Sequence, residues 1–338
     1  MQFGSLLVST TEVCTIGCRH CGFTGSTRER EPTEAELADW VRQACDAGIP
    51  KIILTGGEPF QRFPRLRAAV RAAADHPAVP QIGVFTSSFW GRNPATVATR
   101  LGELRGLTHL YLSTDPYHQE RVPAGYVRNV IDGALAAGIP DISLCITVEN
   151  DEQAGAVLAD YGAYRDRVMV HVDKVIPTPF IAVGHAPALS AATENYDPFC
   201  YLDTPLINPN GDVSACHIGK SGAYVNLSEQ VYFLGNLHER RLEEIFAAAE
   251  GNYEYQFLRV YGPQGVARMI AADPGLSALL RDSRFANGCD LCYKVLRSAE
   301  GRAALRELVA DPFQRQLVDA ARLVRFGEDV DAPAAVPR

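Results

Sequence analysis

Short apolar runs alternate with amphipathic stretches along the first half of the chain. Leu6-Leu7-Val8 reads as a first buried strand, and Lys51-Ile52-Ile53-Leu54 as a second over 51–55. Between them Thr33 and Glu36 form an S/T-x-x-E capping box, which opens a helix through Trp40 and Cys45 to Gly48. The same rhythm continues with a helix near 63–75, a strand at 81–86, a helix near 93–104 and a strand at 108–113. It closes with a helix near 124–137, a strand at 141–147 and a last strand near 168–175. Alternation of this kind predicts an α/β fold with a parallel sheet and right-handed crossovers.

The second half reads differently. Leu206 to Val213 form a strand–turn–strand hairpin turning at Asn210-Gly211. Phe233-Leu234-Gly235-Asn236-Leu237 runs into a helix over 238–249, inside a long 217–288 stretch with helical sequence. Residues 328–338, rich in Ala and Pro, read as a disordered tail.

The 338 residues are 47% hydrophobic, enough for a full core and an extension beyond it. A net charge of −8 with no Lys/Arg stripe argues against a nucleic-acid partner. No apolar run approaches a membrane span, and the N-terminus lacks the basic and apolar segments of a signal peptide. Nine cysteines, an odd number with metal-type spacing, place the chain in a reducing compartment, and the expectation is a cytoplasmic enzyme.

Cys14, Cys18 and Cys21 form a C-x3-C-x2-C triplet just after the first strand. Three thiolates on one tight loop can hold three corners of a [4Fe–4S] cube, whereas such cubes ordinarily take four cysteines. A zinc knuckle or a redox CxxC pair is the alternative, although zinc sites usually take two paired Cys/His couples. About 35 residues on, Thr55-Gly56-Gly57-Glu58-Pro59 ends the second strand. The triplet and the GGEP segment at this distance resemble the radical S-adenosylmethionine (SAM) superfamily. The resemblance implies a partial (β/α)6 barrel and a [4Fe–4S] cluster whose fourth iron is chelated by SAM. It also implies reductive cleavage of SAM to a 5′-deoxyadenosyl radical that abstracts hydrogen from a C–H bond.

In such enzymes GGEP closes on the SAM amino group, so Gly56, Gly57, Glu58 and Pro59 are expected at the cofactor. Glycines allow close backbone approach, Pro59 stiffens the exit, and Glu58 is expected to support the turn. Sites on these barrels lie at the C-terminal strand ends. There the resemblance implies SAM contacts from Ser87, Ser113 and Asp115, with helix capping as the equally open alternative. Arg121 is a candidate partner for the SAM carboxylate or a substrate anion. His118 and Tyr117 are candidate proton acceptors. Loop packing is the plainer reading of each. Phe89-Trp90 either lines a substrate pocket or packs.

Cys200, the hairpin, Cys216, Leu234-Gly235-Asn236-Leu237 before a helix, and then Cys289 and Cys292 resemble the SPASM/twitch extensions of the superfamily. With four cysteines the twitch form is implied, in which a second, auxiliary [4Fe–4S] cluster is held by Cys200, Cys216, Cys289 and Cys292. A structural zinc on the same thiolates is the alternative. His217 would be a second-shell donor to that cluster. His185 stands where relatives often have arginine. The expected organisation is a barrel over 1–185, a SPASM/twitch-like cluster domain over 186–300, a C-terminal helix over 301–327 and the tail.

Cys45 and Cys145 remain, and both read as small buried hydrophobes. A hydrogen-atom donor is the sharper reading of Cys145, which lies near a strand end. Oxidation of an aminosugar-like metabolite is the first functional expectation, with the auxiliary cluster accepting an electron. The alternatives are a peptide maturase (epimerisation, decarboxylation or cross-linking) and a protein-activating or formylglycine-type enzyme. The substrate is thus a small molecule or a peptide, and a flavodoxin or ferredoxin is the expected electron donor. Only thirteen residues precede Cys14, so no N-terminal peptide-binding domain is expected.

Overall fold

In a computed structural model the described residues are 3–21, 30–78, 80–175, 189–190, 202–216, 233–280, 284–285, 288, 291–292, 296 and 298–330. Six parallel strands form the centre: β1 (Leu6–Ser9), β2 (Lys51–Thr55), β3 (Gln81–Thr86), β4 (His109–Ser113), β5 (Asp141–Val148) and β6 (Met169–Lys174). They pair in sequence order with unbroken registers, such as Ile52↔Ile82 and Leu110↔Ile142.

Helices α1 (Glu34–Asp46), α2 (Phe63–Ala74), α3 (Pro94–Glu103), α4 (Pro116–Gln119), α5 (Ala124–Ala136) and α6 (Asp151–Ala159) fill the crossovers. Four of them start where the sequence supplies a side-chain cap. Thr33 and Glu36 close the expected capping box on α1, and Asn93, Asp115 and Asn150 cap α3, α4 and α6 with their side chains. α4 and α6 escape sequence reading because each is short and α6 is only weakly amphipathic.

One face of the sheet builds the core. Leu54, Val84, Leu110, Leu112, Leu144 and Ile146 lie buried beside Trp40, Val41, Leu66, Val70, Val97, Val130 and Ile131 of the helices. Cys45 belongs to this core, as expected. Cys145 does not. It is half-buried on the other face of β5, because Ile142, Leu144, Ile146 and Val148 take the helix-facing positions and the strand alternates.

The boundary expected near 185 is not a break in the sheet. The hairpin strands β8 (Leu206–Ile207) and β9 (Asp212–Ser214), with β10 (Phe233–Asn236), extend the sheet to nine strands. β8 runs parallel to β1, with Leu7↔Leu206 and Val8↔Ile207, so backbone pairing joins the extension to the barrel. Asn208, Asn210 and Asn236 lock the hairpin: Asn236 Nδ2 donates to Asp212 Oδ1 at 2.8 Å and Asn208 Nδ2 to Ser214 Oγ at 2.9 Å. A small pair, β7 (Leu189–Ser190) with β11 (Arg284–Phe285), lies apart from this sheet.

The 217–288 stretch supplies α7 (Leu242–Glu250) and α8 (Tyr253–Ala272), the latter broken at Gly262, where φ is 67° and Pro263 follows. The single C-terminal helix expected over 301–327 is two, α9 (Ala299–Ala310) and α10 (Pro312–Phe326), because Asp311 caps a new helix with Pro312 at its first position. Nor does disorder begin at 328. Glu328 is buried, accepting from Arg259 Nη1 at 2.6 Å and Arg322 Nε at 3.0 Å. Burial pushes its carboxyl up, but these two guanidinium groups outweigh it and hold it below the usual range. Residues 331–338 lie outside the described part. No helix among the described residues is long and apolar enough to cross a membrane.

At the bottom of the barrel lumen, His109 stacks on Tyr111 with ring centroids 3.8 Å apart, and its Nε2 lies 2.8 Å from Ser143 Oγ. Ser143 Oγ also meets His171 Nε2 at 3.3 Å. Burial, with Lys51 nearby, pulls His109 down to about 4 from 6.5. The folded protein therefore holds this ring neutral while the unfolded chain protonates it below about 6.5. Protons bound preferentially by the unfolded state make stability fall as pH drops from about 6.5 towards 4. We expect a loss of about 1–2 kcal/mol between pH 7 and pH 5 from this residue. Denaturant midpoints of the apoprotein at the two pH values check it: His109→Gln, which keeps a partner for Ser143, should lose that part of the pH dependence.

Candidate cluster and SAM site

The site is built at the C-terminal ends of β1 to β4. Beyond β1 the chain continues beside the end of β2, with Thr10 N–H donating to Thr55 O at 2.8 Å, Gly57 N–H to Thr11 O at 2.7 Å and Glu58 N–H to Val13 O at 2.8 Å. This clamp sets Val13, and hence Cys14, directly against Gly56-Gly57. Gly56 has φ 149°, and a Cβ there would sit 2.5 Å from Thr11 O. At Gly57 a Cβ would be 2.4 Å from Val13 O and 2.6 Å from Glu12 O. The glycines are therefore required by the approach of the cysteine loop's own backbone.

Glu31, just before α1, fastens the same loop. Its Oε1 accepts from Thr11 Oγ1 at 2.6 Å and Glu12 N at 2.8 Å, and its other oxygen pairs with Arg65. Sequence reading missed Glu31, since its partner loop is twenty residues away and nothing local marks it.

Glu58 is buried across the ends of two strands. Oε1 accepts from Phe60 N at 3.1 Å and Thr86 Oγ1 at 2.9 Å; Oε2 meets Ser87 N at 2.8 Å and Ser87 Oγ at 2.5 Å. Thr86 Oγ1 already accepts from Ser88 N at 3.1 Å and Trp90 Nε1 at 3.0 Å, so its own proton goes to Glu58. Burial pushes the Glu58 carboxyl up, against these donors. Removing it would orphan the N–H groups of Phe60 and Ser87. Glu58→Ala is expected to cost about 3 kcal/mol or more, read from the apoprotein's urea midpoint, with Glu58→Gln in between because one oxygen still accepts. Trp90 stacks on Phe60 at 4.0 Å, so the Phe89-Trp90 pair packs behind this link. Pro59 is buried at the first position of the 3₁₀ turn Pro59–Arg62 and lies off the cavity.

A cavity of about 270 Å³ opens above these strand ends. Cys14, Cys18 and Cys21 line it together with Gly56, Gly57, Glu58, Ser87, Ser113, His118 and His20. Three of the expected SAM contacts, Gly56, Gly57 and Ser113, thus face one space with the three thiols. Ser87 also lines it, although its hydroxyl is engaged with Glu58.

Asp115 does not line the cavity. It is buried as the cap of α4, accepting on Oδ1 from Tyr117 N at 3.0 Å and His118 N at 2.9 Å, while Oδ2 meets His118 Nδ1 at 2.7 Å. Burial raises its pKa, but the His118 bonds prevail and hold it below the ordinary value. Tyr117 is likewise withdrawn, with its ring stacked on His20 at 4.6 Å and its hydroxyl donating to Glu149 at 2.7 Å; burial and that carboxylate push the phenol up. Arg121 is exposed and does not line the cavity. Of the three α4-region candidates only His118 reaches the space.

His20 is a cavity residue that sequence reading passed over, and its signal was its place between Cys18 and Cys21. Its Nδ1 is buried with no partner among the described residues, and its Nε2 lies 3.7 Å from Asp115 Oδ2. Burial pulls its pKa down, against the pull of Asp115. His20, Asp115 and His118 converge as ion ligands would, but the Asp115 carboxylate is already taken up by α4 and His118.

The donor set fits a soft-metal cluster. Burial pushes Cys14 up and Cys18 up to about 12, and acidic Glu58 and Asp115 add to this. Bound iron would supply the positive charge that favours the thiolate form. The hydroxyl of Ser113, the open nitrogen of His20 and the glycine backbone are polar groups suited to SAM. In the extension, Cys216 and Cys292 are half-buried against the core. Cys200, Cys289, His185 and His217 lie outside the described residues.

Comparison with known proteins agrees with this arrangement. Residues 8–161 match the family described as the Radical SAM superfamily. The putative peptide biosynthesis protein YydG of Bacillus subtilis (strain 168) is 24% identical over 297 residues, 85% of this chain and 90% of that protein. A GTP 3′,8-cyclase of Listeria welshimeri is 28% identical over 160 residues, 43% of this chain and 46% of its own length. Among solved structures, native anSMEcpe with bound AdoMet and a Cp18Cys peptide superposes with a TM-score of 0.51 at 12% identity. It covers 94% of this chain and 99% of that one, a likeness of fold. The sheet order, the cysteine loop clamped to GGEP and the family match converge: residues 8–161 are a radical SAM domain of that superfamily.

Proposed function

We propose that this radical SAM enzyme modifies a peptide at an unactivated C–H bond. The reading rests on the likeness to YydG, which spans most of both chains. The fold likeness to anSMEcpe, a structure holding a peptide, is in keeping with it. Oxidation of an aminosugar-like metabolite, the first expectation from sequence, has no comparable support, so the alternative is preferred.

When bound, the cluster and SAM supply the 5′-deoxyadenosyl radical. The chain's own part is to hold three thiolates on Cys14, Cys18 and Cys21, and to fix their loop on the Gly56-Gly57 backbone. His20 Nδ1, Ser113 and the backbone around Gly57 orient SAM. His118, held through Nδ1 by Asp115, presents its other ring nitrogen as the proton-transfer group. Cys145 faces the lumen level with Ser113, its register partner, and is the thiol placed to return a hydrogen atom in an epimerisation. A second [4Fe–4S] cluster on Cys200, Cys216, Cys289 and Cys292 would take an electron in an oxidative outcome. Reducing equivalents would come from a flavodoxin or ferredoxin.

The test is anaerobic reconstitution, then SAM, dithionite and candidate precursor peptides in deuterated buffer. 5′-Deoxyadenosine and a modified peptide are expected. Gain of one deuterium marks epimerisation, and loss of two hydrogens marks oxidation or cross-linking. Turnover with metabolites but no peptide would overturn the reading.

A further inference from the structure

Strand β6 ends the sheet, and among the described residues it pairs only with β5, over six residues from Ser143↔Met169 to Val148↔Lys174. All six are exposed, including Met169 at 43%, Val170 at 42% and Val172 at 42%. Edge strands are normally blunted by proline, a central lysine, a bulge or shortness. β6 keeps an unshifted register and places its charges only at Asp173 and Lys174, so Met169 to Val172 form an unguarded edge.

The direction of its backbone groups follows from one bond. Val175 N–H donates to Val148 O at 2.9 Å, toward β5. Backbone groups alternate along a strand, so those of His171 and Asp173 also face β5, and those of Val170, Val172 and Lys174 face the free edge. The side chains sort the other way. Partners in register share a face, so Met169, His171 and Asp173 stand on the lumen side with Ser143, Cys145 and Thr147. Cys145 is in turn level with Ser113, which lines the SAM cavity. A strand added to β6 would lie about 14 Å from β4 along the sheet, three strand spacings, with alternate side chains turned into the lumen.

Charge selects the occupant. Lys174 is paired with Asp151, whereas Asp173 has no ion pair among the described residues. A second copy pairing antiparallel keeps side chains of one face opposite one another, so centred on His171 or Val172 it would set Asp173 against its Met169 or His171, with no lysine or arginine opposite the carboxylate. An extended peptide with a lysine or arginine facing Asp173 satisfies both the edge and the charge.

We propose that β6 is the docking edge for the substrate, an extended peptide that adds as a strand through the backbone of Val170 and Val172 and places a basic side chain on Asp173. This deepens the peptide reading above and rests on it. The probe is a pair of capped peptides of alternating Val and Thr carrying one central Lys or one central Glu, added to the anaerobically reconstituted full chain. Amide exchange at Val170, Val172 and Lys174 and the rate of 5′-deoxyadenosine formation are read together.

The Lys peptide should slow exchange at these amides and raise the rate, and the Glu peptide should do neither. Val172→Pro removes a free-edge donor and spares the bonds to β5, so it should weaken Lys-peptide binding roughly tenfold. Asp173→Lys should reverse the preference in favour of the Glu peptide, a gain that misfolding cannot mimic. Edge amides already protected without peptide would overturn the proposal. Protection independent of protein concentration would assign the edge to the chain's own residues, and protection rising with concentration would assign it to a second copy. Equal stimulation of parent and Val172→Pro, without protection, would refute the edge and leave the peptide reading standing. Neither stimulation nor protection would remove both.

Discussion

Replacing Cys14, Cys18 and Cys21 together by alanine is expected to abolish 5′-deoxyadenosine formation. The three thiols share one loop and one cavity, and among the described residues no second set of thiols lines that cavity. The nearest candidates, His20, Asp115 and His118, hold a carboxylate whose oxygens already serve the cap of α4 and the His118 ring. Iron at this site should therefore vanish. If Cys200, Cys216, Cys289 and Cys292 hold the proposed second cluster, about half of the roughly eight irons should remain. The fold should survive, since the loop is anchored by Glu31 and by the Thr11 and Val13 carbonyls, none of which needs the thiols. Iron assay, circular dichroism and 5′-deoxyadenosine chromatography on one preparation check all three. Persistent cleavage in the triple variant would overturn the assignment.

Gly57→Val is expected to reduce SAM cleavage roughly a hundredfold or more, and to reduce cluster content with it. The added Cβ would meet Val13 O at 2.4 Å, Glu12 O at 2.6 Å and Val13 C at 2.6 Å. All three are backbone atoms, so no rotamer change can relieve the contact. The loop must part from the end of β2, losing the bonds from Gly57 N and Glu58 N, and Cys14 moves with Val13. Were the glycine there only to admit SAM, iron would hold and the KM for SAM alone would rise. Iron content measured beside KM separates the two outcomes, and full iron with raised KM would refute the clamp. Gly57→Ala carries the same Cβ and should show the same joint loss, to a smaller degree.

The sequence by itself determined the central architecture and the cysteine loop. Strands over Lys51–Thr55 and Gln81–Thr86 fall where the apolar runs lie, and α1 starts at its capping box. Such features are local: strand and helix periods, caps and a short metal-ligand spacing are written within a few residues of one another. The triplet and GGEP added the family because their spacing is carried by a single strand–helix–strand unit.

Tertiary structure decided what long-range backbone and side-chain partners decide. Gly56 and Gly57 lie against the backbone of Thr11 to Val13, a fact of two segments some forty-five residues apart. Asp115 and Ser113 sit two residues apart, yet only Ser113 opens on the cavity, because Asp115 turns back onto α4. The hairpin at 206–214 joins the sheet beside β1, and Glu328 is drawn inward by two arginines. Neither apolar periodicity nor composition encodes such choices. A buried carboxylate goes where its donors converge, and a strand pairs where an edge is free, and both conditions exist only once the chain has folded.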